Sequence, residues 1–168
     1  MHLPQLVGLD FGYSADPTAI ITSLLDEEGK TIYVTNEFVQ TGLLNNEIAE
    51  QLKLMGLTKS TIIADSAENK SIDEIKREGI RRILPASKGK GSINQGIQKL
   101  QQYRIVVDSS CRNTIEELEN YSWKRDRQSG EYINEPVDQF NHCLDALRYS
   151  LQCADKKQKI TTLPKNSL

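Results

Sequence analysis

The chain has 168 residues and a formal net charge of −2, with 26% charged residues, a composition typical of one globular domain. Its near-neutral balance excludes a globally basic nucleic-acid-binding protein, so any DNA-binding surface has to be local. The cysteines Cys111, Cys143 and Cys153 are odd in number and lack metal-ligand spacing, which predicts free thiols in a reducing compartment. There is no long apolar run and no signal-peptide pattern, so we expect neither a membrane span nor secretion.

The first forty residues carry three strand patterns separated by short turns, over residues 5–10, 18–25 and 31–39. They predict an antiparallel meander. The first of these strands starts almost at Met1, so we expect an excised domain of a longer protein, with Met1 added for expression.

From residue 45 onward the sequence alternates between helix and strand patterns. Helices are predicted over residues 45–55, 71–78, 92–102 and 111–120, and strands over residues 60–65, 80–85 and 103–108. Such alternation implies parallel crossovers with helices covering the sheet. A β-hairpin with a charged tip at residues 125–130 is predicted next.

The last regular pattern predicts a single helix over residues 136–151, entered at Pro136 and capped by Asp138. Its apolar stripe consists of Phe140, Leu144, Leu147 and Leu151. Helical spacing places Asp138, His142 and Asp145 on one side, where they form either a ligand-bearing face or an ordinary solvated face. Residues 154–168 are polar and basic, which predicts a flexible tail.

Two predicted strands end in an aspartate, Asp10 and Asp65. If these strands lie side by side, their carboxylates meet at one edge of the sheet, where Asp145 can join them. Clustering buried like charges is costly unless cations neutralise them, and hard divalent ions prefer oxygen ligands. Two such ions can activate a water and stabilise the leaving oxygen in phosphodiester hydrolysis.

Taken together, the motifs of this chain resemble the nuclease domain of the large terminase subunit of tailed bacteriophages. The segments that carry the resemblance are Leu9-Asp10-Phe11-Gly12, Asp16-Pro17-Thr18-Ala19, Ile63-Ala64-Asp65-Ser66-Ala67-Glu68, Lys88-Gly89-Lys90-Gly91-Ser92-Ile93 and Asn141-His142-Cys143-Leu144-Asp145-Ala146-Leu147-Arg148-Tyr149. The resemblance implies an α/β, RNase H-like domain over residues 1–153. It would have a mixed sheet of five to six strands, flanking helices and an extra β-hairpin.

The resemblance also implies an activity: a Mg²⁺- or Mn²⁺-dependent endonuclease that cuts concatemeric viral double-stranded DNA during packaging by two-metal hydrolysis. The acidic metal ligands would be Asp10, Asp65 and Asp145. His142 would orient a ligand or shuttle a proton, or else lie on the helix surface as a capping residue.

Three further acids have open roles. Glu68 and Asp138 are outer-shell or additional ligands, or solvated surface. Asp16 is expected to bond the turn backbone after Asp10 rather than touch metal.

Phosphate contacts are expected from two basic loops, through Lys88, Lys90, Arg125 and Arg127, although solvated loops would look the same. No recognition helix is apparent, so binding should be mostly to the DNA backbone. The chain also lacks a phosphate-binding loop for ATP. The partners implied are the ATPase domain of the same parent protein, the portal and the small terminase subunit, in the host bacterial cytoplasm.

Three other classes of protein share some of these motifs. Sugar-kinase and actin-like ATPases also begin with Asp-x-Gly after a strand, but they need a second domain that this chain is too short to hold. A Holliday-junction resolvase or a transposase core could use the same triad. A DNA-binding or docking module without catalysis would keep the basic loops but not need the acids.

Overall fold

The computed structural model describes residues 2–12 and 14–158. The strands are β1 Gln5–Asp10, β2 Thr18–Asp26, β3 Thr31–Gln40, β4 Ile62–Ala64, β5 Ile83–Pro85, β6 Arg104–Val107, β7 Trp123–Arg125 and β8 Tyr132–Pro136. The helices are α1 Asn45–Leu54, α2 Asn69–Arg77, α3 Ser92–Leu100, α4 Arg112–Asn120, α5 His142–Ser150 and α6 Gln152–Gln158, with a 3₁₀ turn at Ser66–Glu68.

Six strands form one mixed sheet in the order β5-β4-β1-β2-β3-β6, while β7 and β8 pair separately as a hairpin. Strands β1, β2 and β3 make the predicted antiparallel meander, and β4, β5 and β6 join it in parallel. The α/β class, the mixed sheet and the extra hairpin are confirmed. The predicted neighbourhood of the first and fourth strands is confirmed as well, because β1 pairs with β4.

Helices cover both faces of the sheet. On one face, α1 and α2 bury apolar side chains such as Leu52 and Ile75 against β1 and β4. On the other face, Leu147 of α5 and Leu151, which follows the helix, are buried against Leu6 and Ile21. Burial on both faces explains why the central strands read as nearly continuous apolar runs.

Helix α5 lies directly on β1, and Gly8 makes this close approach possible. A Cβ atom at Gly8 would overlap the carbonyl oxygen of Ala146 in α5. The helix therefore approaches the strand more closely than any other residue at position 8 would allow. This contact places the start of α5 beside the end of β1.

The prediction of one helix over residues 136–151 was wrong in its first part. Pro136 is the last residue of β8 and pairs with Trp123 of β7. Phe140 has a left-handed backbone with φ of 54° and is 39% exposed, so it is not part of the apolar stripe. The helix begins only at His142, because residues up to Pro136 pair as a strand and the left-handed Phe140 interrupts a helical backbone.

The structure describes only the start of the predicted tail, so the flexibility of residues 154–168 stays a prediction. Helix α6 runs to Gln158 and so includes the first residues assigned to the tail, while residues 159–168 lie outside the described part. Within the described residues, no helix is long and apolar enough to cross a membrane. The three cysteines are free thiols, as expected.

Candidate active site

Three carboxylates meet at one edge of the central sheet. Asp10 is the last residue of β1 and Asp65 directly follows β4, whose parallel pairing with β1 brings the two chain ends together. The Asp65 amide donates a hydrogen bond to the carbonyl of Leu9 at 3.0 Å, which fixes its position beside Asp10. Asp145, in the first turn of α5, completes the group. The three line one cavity of about 560 Å³.

Burial makes ionisation of Asp10 and Asp145 costly. It raises the pKa of Asp10 to about 6, with the nearby charges of Asp145 and Asp65 adding to the rise and the His142 hydrogen bond opposing it. Burial also raises the pKa of Asp145, against the attraction of Arg148. The cavity therefore concentrates negative charge that a cation would stabilise.

Each of the three carboxylates is paired with a basic side chain. Asp10 accepts from His142 Nδ1 at 3.3 Å, and Asp145 accepts from Arg148 at 3.1 Å. Asp65 forms an ion pair with Lys88.

Within residues 2–12 and 14–158, no three His, Cys, Asp or Glu side chains stand close enough to ligate one metal ion as they lie. The donor set nevertheless fits hard divalent cations, because three carboxylates line one cavity and carboxylate oxygens are ligands that such ions prefer.

His142 is placed between two acids. Its Nδ1 contacts Asp10, and its Nε2 lies 3.9 Å from the exposed carboxylate of Asp16. The hydrogen bond to Asp10 raises the pKa of the imidazole. In the turn that Asp16 was expected to bond, the Gly12 amide donates to Thr18 Oγ1 at 3.1 Å, and Tyr13 lies outside the described residues. Asp16 thus faces His142.

Two predicted outer-shell acids do not line the cavity. Glu68 precedes α2 and accepts a hydrogen bond from Ser71 at 3.4 Å. Asp138 lies in the segment before α5 with an 88% exposed side chain, and it pairs with Lys124 at 3.2 Å. It neither caps the helix nor shares a face with His142 and Asp145, because the helix does not extend to it.

Arg148 is a residue of the cavity that the sequence prediction missed. It is only 6% exposed, contacts Asp145 and stacks on the Tyr149 ring at 4.8 Å from the centroid. Its stem fills the space beside Gly96 of α3, where any Cβ would collide with it. Its Nε has no hydrogen-bond partner within the described chain. The three-residue spacing to Asp145 on α5 was the signal that could have revealed it.

Two other missed acids anchor helices instead of lining the cavity. Both carboxylate oxygens of the buried Glu117 in α4 accept from the Cys143 amide, at 2.9 and 2.7 Å, at the start of α5. Glu37 of β3 accepts four hydrogen bonds from Asn113 and Thr114 at the start of α4. Carboxylates at helix N-termini satisfy free amides and complement the helix dipole. Glu37 thus connects the sheet to α4, and Glu117 connects α4 to α5.

The four basic residues predicted to contact phosphate lie in two segments that adjoin α3. Lys88 and Lys90 belong to the exposed loop that precedes this helix. Arg125 stacks on the Tyr132 ring at 4.7 Å within the hairpin, and Arg127 is exposed at its tip. The hairpin reaches α3 through a 3.1 Å hydrogen bond from Asn94 to the Asn134 carbonyl.

Comparison with known structures identifies the fold class. The chain superposes on the crystal structure of the large terminase nuclease domain of bacteriophage SPP1 with bound Mn, with a TM-score of 0.84 and 34% identity, over 89% of this chain and 86% of that one. The P22 large terminase nuclease domain matches with a TM-score of 0.68 at 19% identity, over 92% of this chain and 82% of that one, and shows the shared fold. The domain is RNase H-like.

Sequence comparison then identifies the family. The model of the terminase RNase H-like domain family matches residues 10–153, and the chain belongs to that family. It is 35% identical over 153 residues to the large terminase subunit of Bacillus phage SPP1, covering 89% of this chain and 36% of that protein. It is 32% identical over 155 residues to the PBSX phage terminase large subunit of Bacillus subtilis, covering 90% and 35%. The chain thus spans about a third of the length of these relatives.

Proposed function

We propose that this domain is a divalent-metal-dependent endonuclease that cuts concatemeric viral double-stranded DNA during genome packaging. The observation that supports this most strongly is the single cavity lined by Asp10, Asp65 and Asp145, three carboxylates contributed by β1, the end of β4 and α5. Membership of the terminase family and the likeness to a nuclease domain with bound Mn support the same conclusion.

The three acids would hold Mg²⁺ or Mn²⁺, with Asp10 shared between two ions and Asp65 and Asp145 each contributing to one. When bound, such ions activate a water and stabilise the leaving oxygen of a phosphodiester. The protein's own contribution is to fix the carboxylates in one cavity. His142 orients Asp10 through Nδ1, and its contact with Asp16 favours this role over a free proton shuttle.

The substrate would be held through its phosphate backbone. Lys88 and Lys90 lie on the loop that leads into α3, and Arg125 and Arg127 lie in the hairpin that contacts α3. The first residues of α3, Ser92 and Ile93, line the acidic cavity. Point charges on exposed loops attract phosphates without reading bases, so we propose little sequence specificity. The remaining partners we propose are the ATPase domain of the same protein, the portal and the small terminase subunit, in the cytoplasm of the host bacterium.

Nicking of supercoiled plasmid tests the proposal. Wild-type protein with Mg²⁺ or Mn²⁺ should nick and linearise plasmid of unrelated sequence, and chelator should abolish the cut. Asp65→Asn should reduce cleavage at least about a hundredfold, since it removes a metal ligand. Asp73→Asn, an exposed change on α2 outside the cavity, should cleave like wild type.

The same assay separates the alternatives. Preferential cutting of a four-way junction over linear duplex would favour a resolvase. Duplex binding with no cleavage under either metal would favour a DNA-binding module and contradict the proposal.

A further inference from the structure

The loop before α3 is anchored at its first residue and turned at its end, and both of its lysines are exposed. The Ser87 amide donates to Gln152 Oε1 at 2.7 Å, and Gln152 Nε2 donates back to the Ser87 carbonyl at 3.1 Å. At the other end, Ser92 donates to the Gly89 carbonyl at 3.0 Å. The start of the loop is therefore anchored to α6 next to Lys88.

The two lysines of this loop differ in their surroundings. The Lys88 ammonium forms an ion pair with Asp65 and lies 5.8 Å from the centroid of the Tyr149 ring. The Lys88 side chain remains 42% exposed, whereas that of Asp65 is 16% exposed. Lys90, two residues further on, is exposed and has no ion pair among the described residues. The two lysines therefore carry the same charge, but only Lys88 is paired with a carboxylate of the cavity.

We propose that Lys88 is an internal competitor cation that keeps Asp65 from binding metal until a DNA phosphate withdraws it. This inference rests on the proposed function and assigns a regulatory role within the same site. A divalent ion at Asp65 must displace the ammonium and is repelled by it. A phosphate offers the ammonium an alternative partner, which leaves Asp65 available to the metal.

The binding of DNA and the binding of the divalent ion are then thermodynamically coupled. If DNA raises the affinity for the divalent ion by some factor, the ion raises the affinity for DNA by the same factor. Because Lys88 is partly exposed and flexible, exchange of its partner requires no rearrangement of the sheet or of α5. Lys90 would contribute charge to DNA binding but nothing to the coupling.

Calorimetric titration of Mn²⁺ into the DNA-free chain tests the inference without a cleavage readout. Lys88→Gln should bind Mn²⁺ roughly fivefold more tightly than wild type. Lys90→Gln makes the same charge change in the same loop and should leave Mn²⁺ affinity unchanged. Lys88→Arg keeps a cation at the site and should behave like wild type. A duplex with cleavage-resistant phosphorothioate linkages should raise Mn²⁺ affinity of wild type, and the gain should largely disappear in Lys88→Gln.

Two results would overturn the inference. Either Lys88→Gln binds Mn²⁺ with wild-type affinity, or Lys88→Gln and Lys90→Gln strengthen binding equally, which would reveal a general charge effect. Asp65→Asn distinguishes this failure from failure of the proposed function. If Asp65→Asn loses Mn²⁺ binding and Lys88→Gln has no effect, the competitor role is refuted. The assignment of Asp65 as a metal ligand then stands. Full Mn²⁺ binding by Asp65→Asn would remove the metal assignment and the competitor role together.

Discussion

The acidic cavity and the β7–β8 hairpin represent two ways of positioning charge in one domain. The cavity takes its carboxylates from elements embedded in the core, and its surroundings are connected through buried contacts from β3 to α4 to α5. The hairpin is mostly exposed and is stabilised by its own pairs, such as Lys124 with Glu135 at 2.7 Å and Arg125 stacked on Tyr132.

The difference separates two chemical demands. Groups that act together on one small ion need a fixed geometry, which packing and buried hydrogen bonds supply. Groups that attract a long, uniform polyanion need only charge within reach, and an exposed hairpin supplies that at little cost to the core. Substitutions in the two regions should therefore affect different properties of the protein.

The largest effect on stability is expected at the contact between β1 and α5. Gly8→Ala should lower the free energy of unfolding by about 3 kcal/mol, because the new methyl group forces the strand and helix apart. Displacement of α5 should also reduce plasmid nicking. Urea denaturation measures the change in the free energy of unfolding. Gly89→Ala is the matched control, since nothing lies within 4 Å of its new Cβ. Equal stability of the two variants would contradict close packing at Gly8.

A smaller effect is expected where the sheet anchors α4. Burial opposes ionisation of Glu37, but hydrogen bonds from Thr114 and Asn113 outweigh it and hold the pKa of Glu37 below its usual 4.5. Glu37→Gln should cost about 1–2 kcal/mol at pH 7, because the amide cannot accept all four bonds.

The pH dependence of this effect has a definite sign. A lowered pKa in the folded state adds stability above pH 4.5, which is lost as the pH falls through the folded pKa. The difference between wild type and Glu37→Gln should therefore shrink in acid. The exposed Glu119→Gln in α4 is the control and should match wild type throughout. A pH-independent difference would mean that the ionised form of Glu37 contributes nothing.

The smallest effect on stability is expected in the hairpin. Replacing Arg125 and Arg127 by Gln together should change the free energy of unfolding by no more than about 0.5 kcal/mol. Duplex binding should weaken, and the slope of log affinity against log salt should fall by up to about 2. Fluorescence anisotropy across a salt series measures both. Arg77→Gln with Arg81→Gln, exposed at the end of α2 and just before β5, makes an equal charge change and should keep the wild-type slope.

Much of the fold and the acidic edge could be predicted because the signals are local. An apolar strand ending in a carboxylate is visible at Asp10 and Asp65, and the meander followed by helix–strand alternation fixes where those ends meet. The buried stripe of α5 was likewise predicted correctly at Leu144 and Leu147.

The features that were missed depend on contacts distant in sequence. Helical spacing before His142 occurs by chance, and pairing of Pro136 with Trp123 decides the structure there. The bond between Glu117 and the Cys143 amide, and the ion pair of Lys88 with Asp65, have no sequence signature, since a charged residue on a loop or helix does not indicate its distant partner.

The placement of Gly8 beneath Ala146 has a consequence for biosynthesis. The strand carrying the first carboxylate is made early and the helix carrying the third is made late, so a nascent chain lacks the cavity until α5 has left the ribosome. The central strand must wait for its covering helix, and closing so long a loop is entropically costly. A chain that terminates before Asp145 contains Asp10 and Asp65 but lacks the third carboxylate, so it cannot complete the cavity.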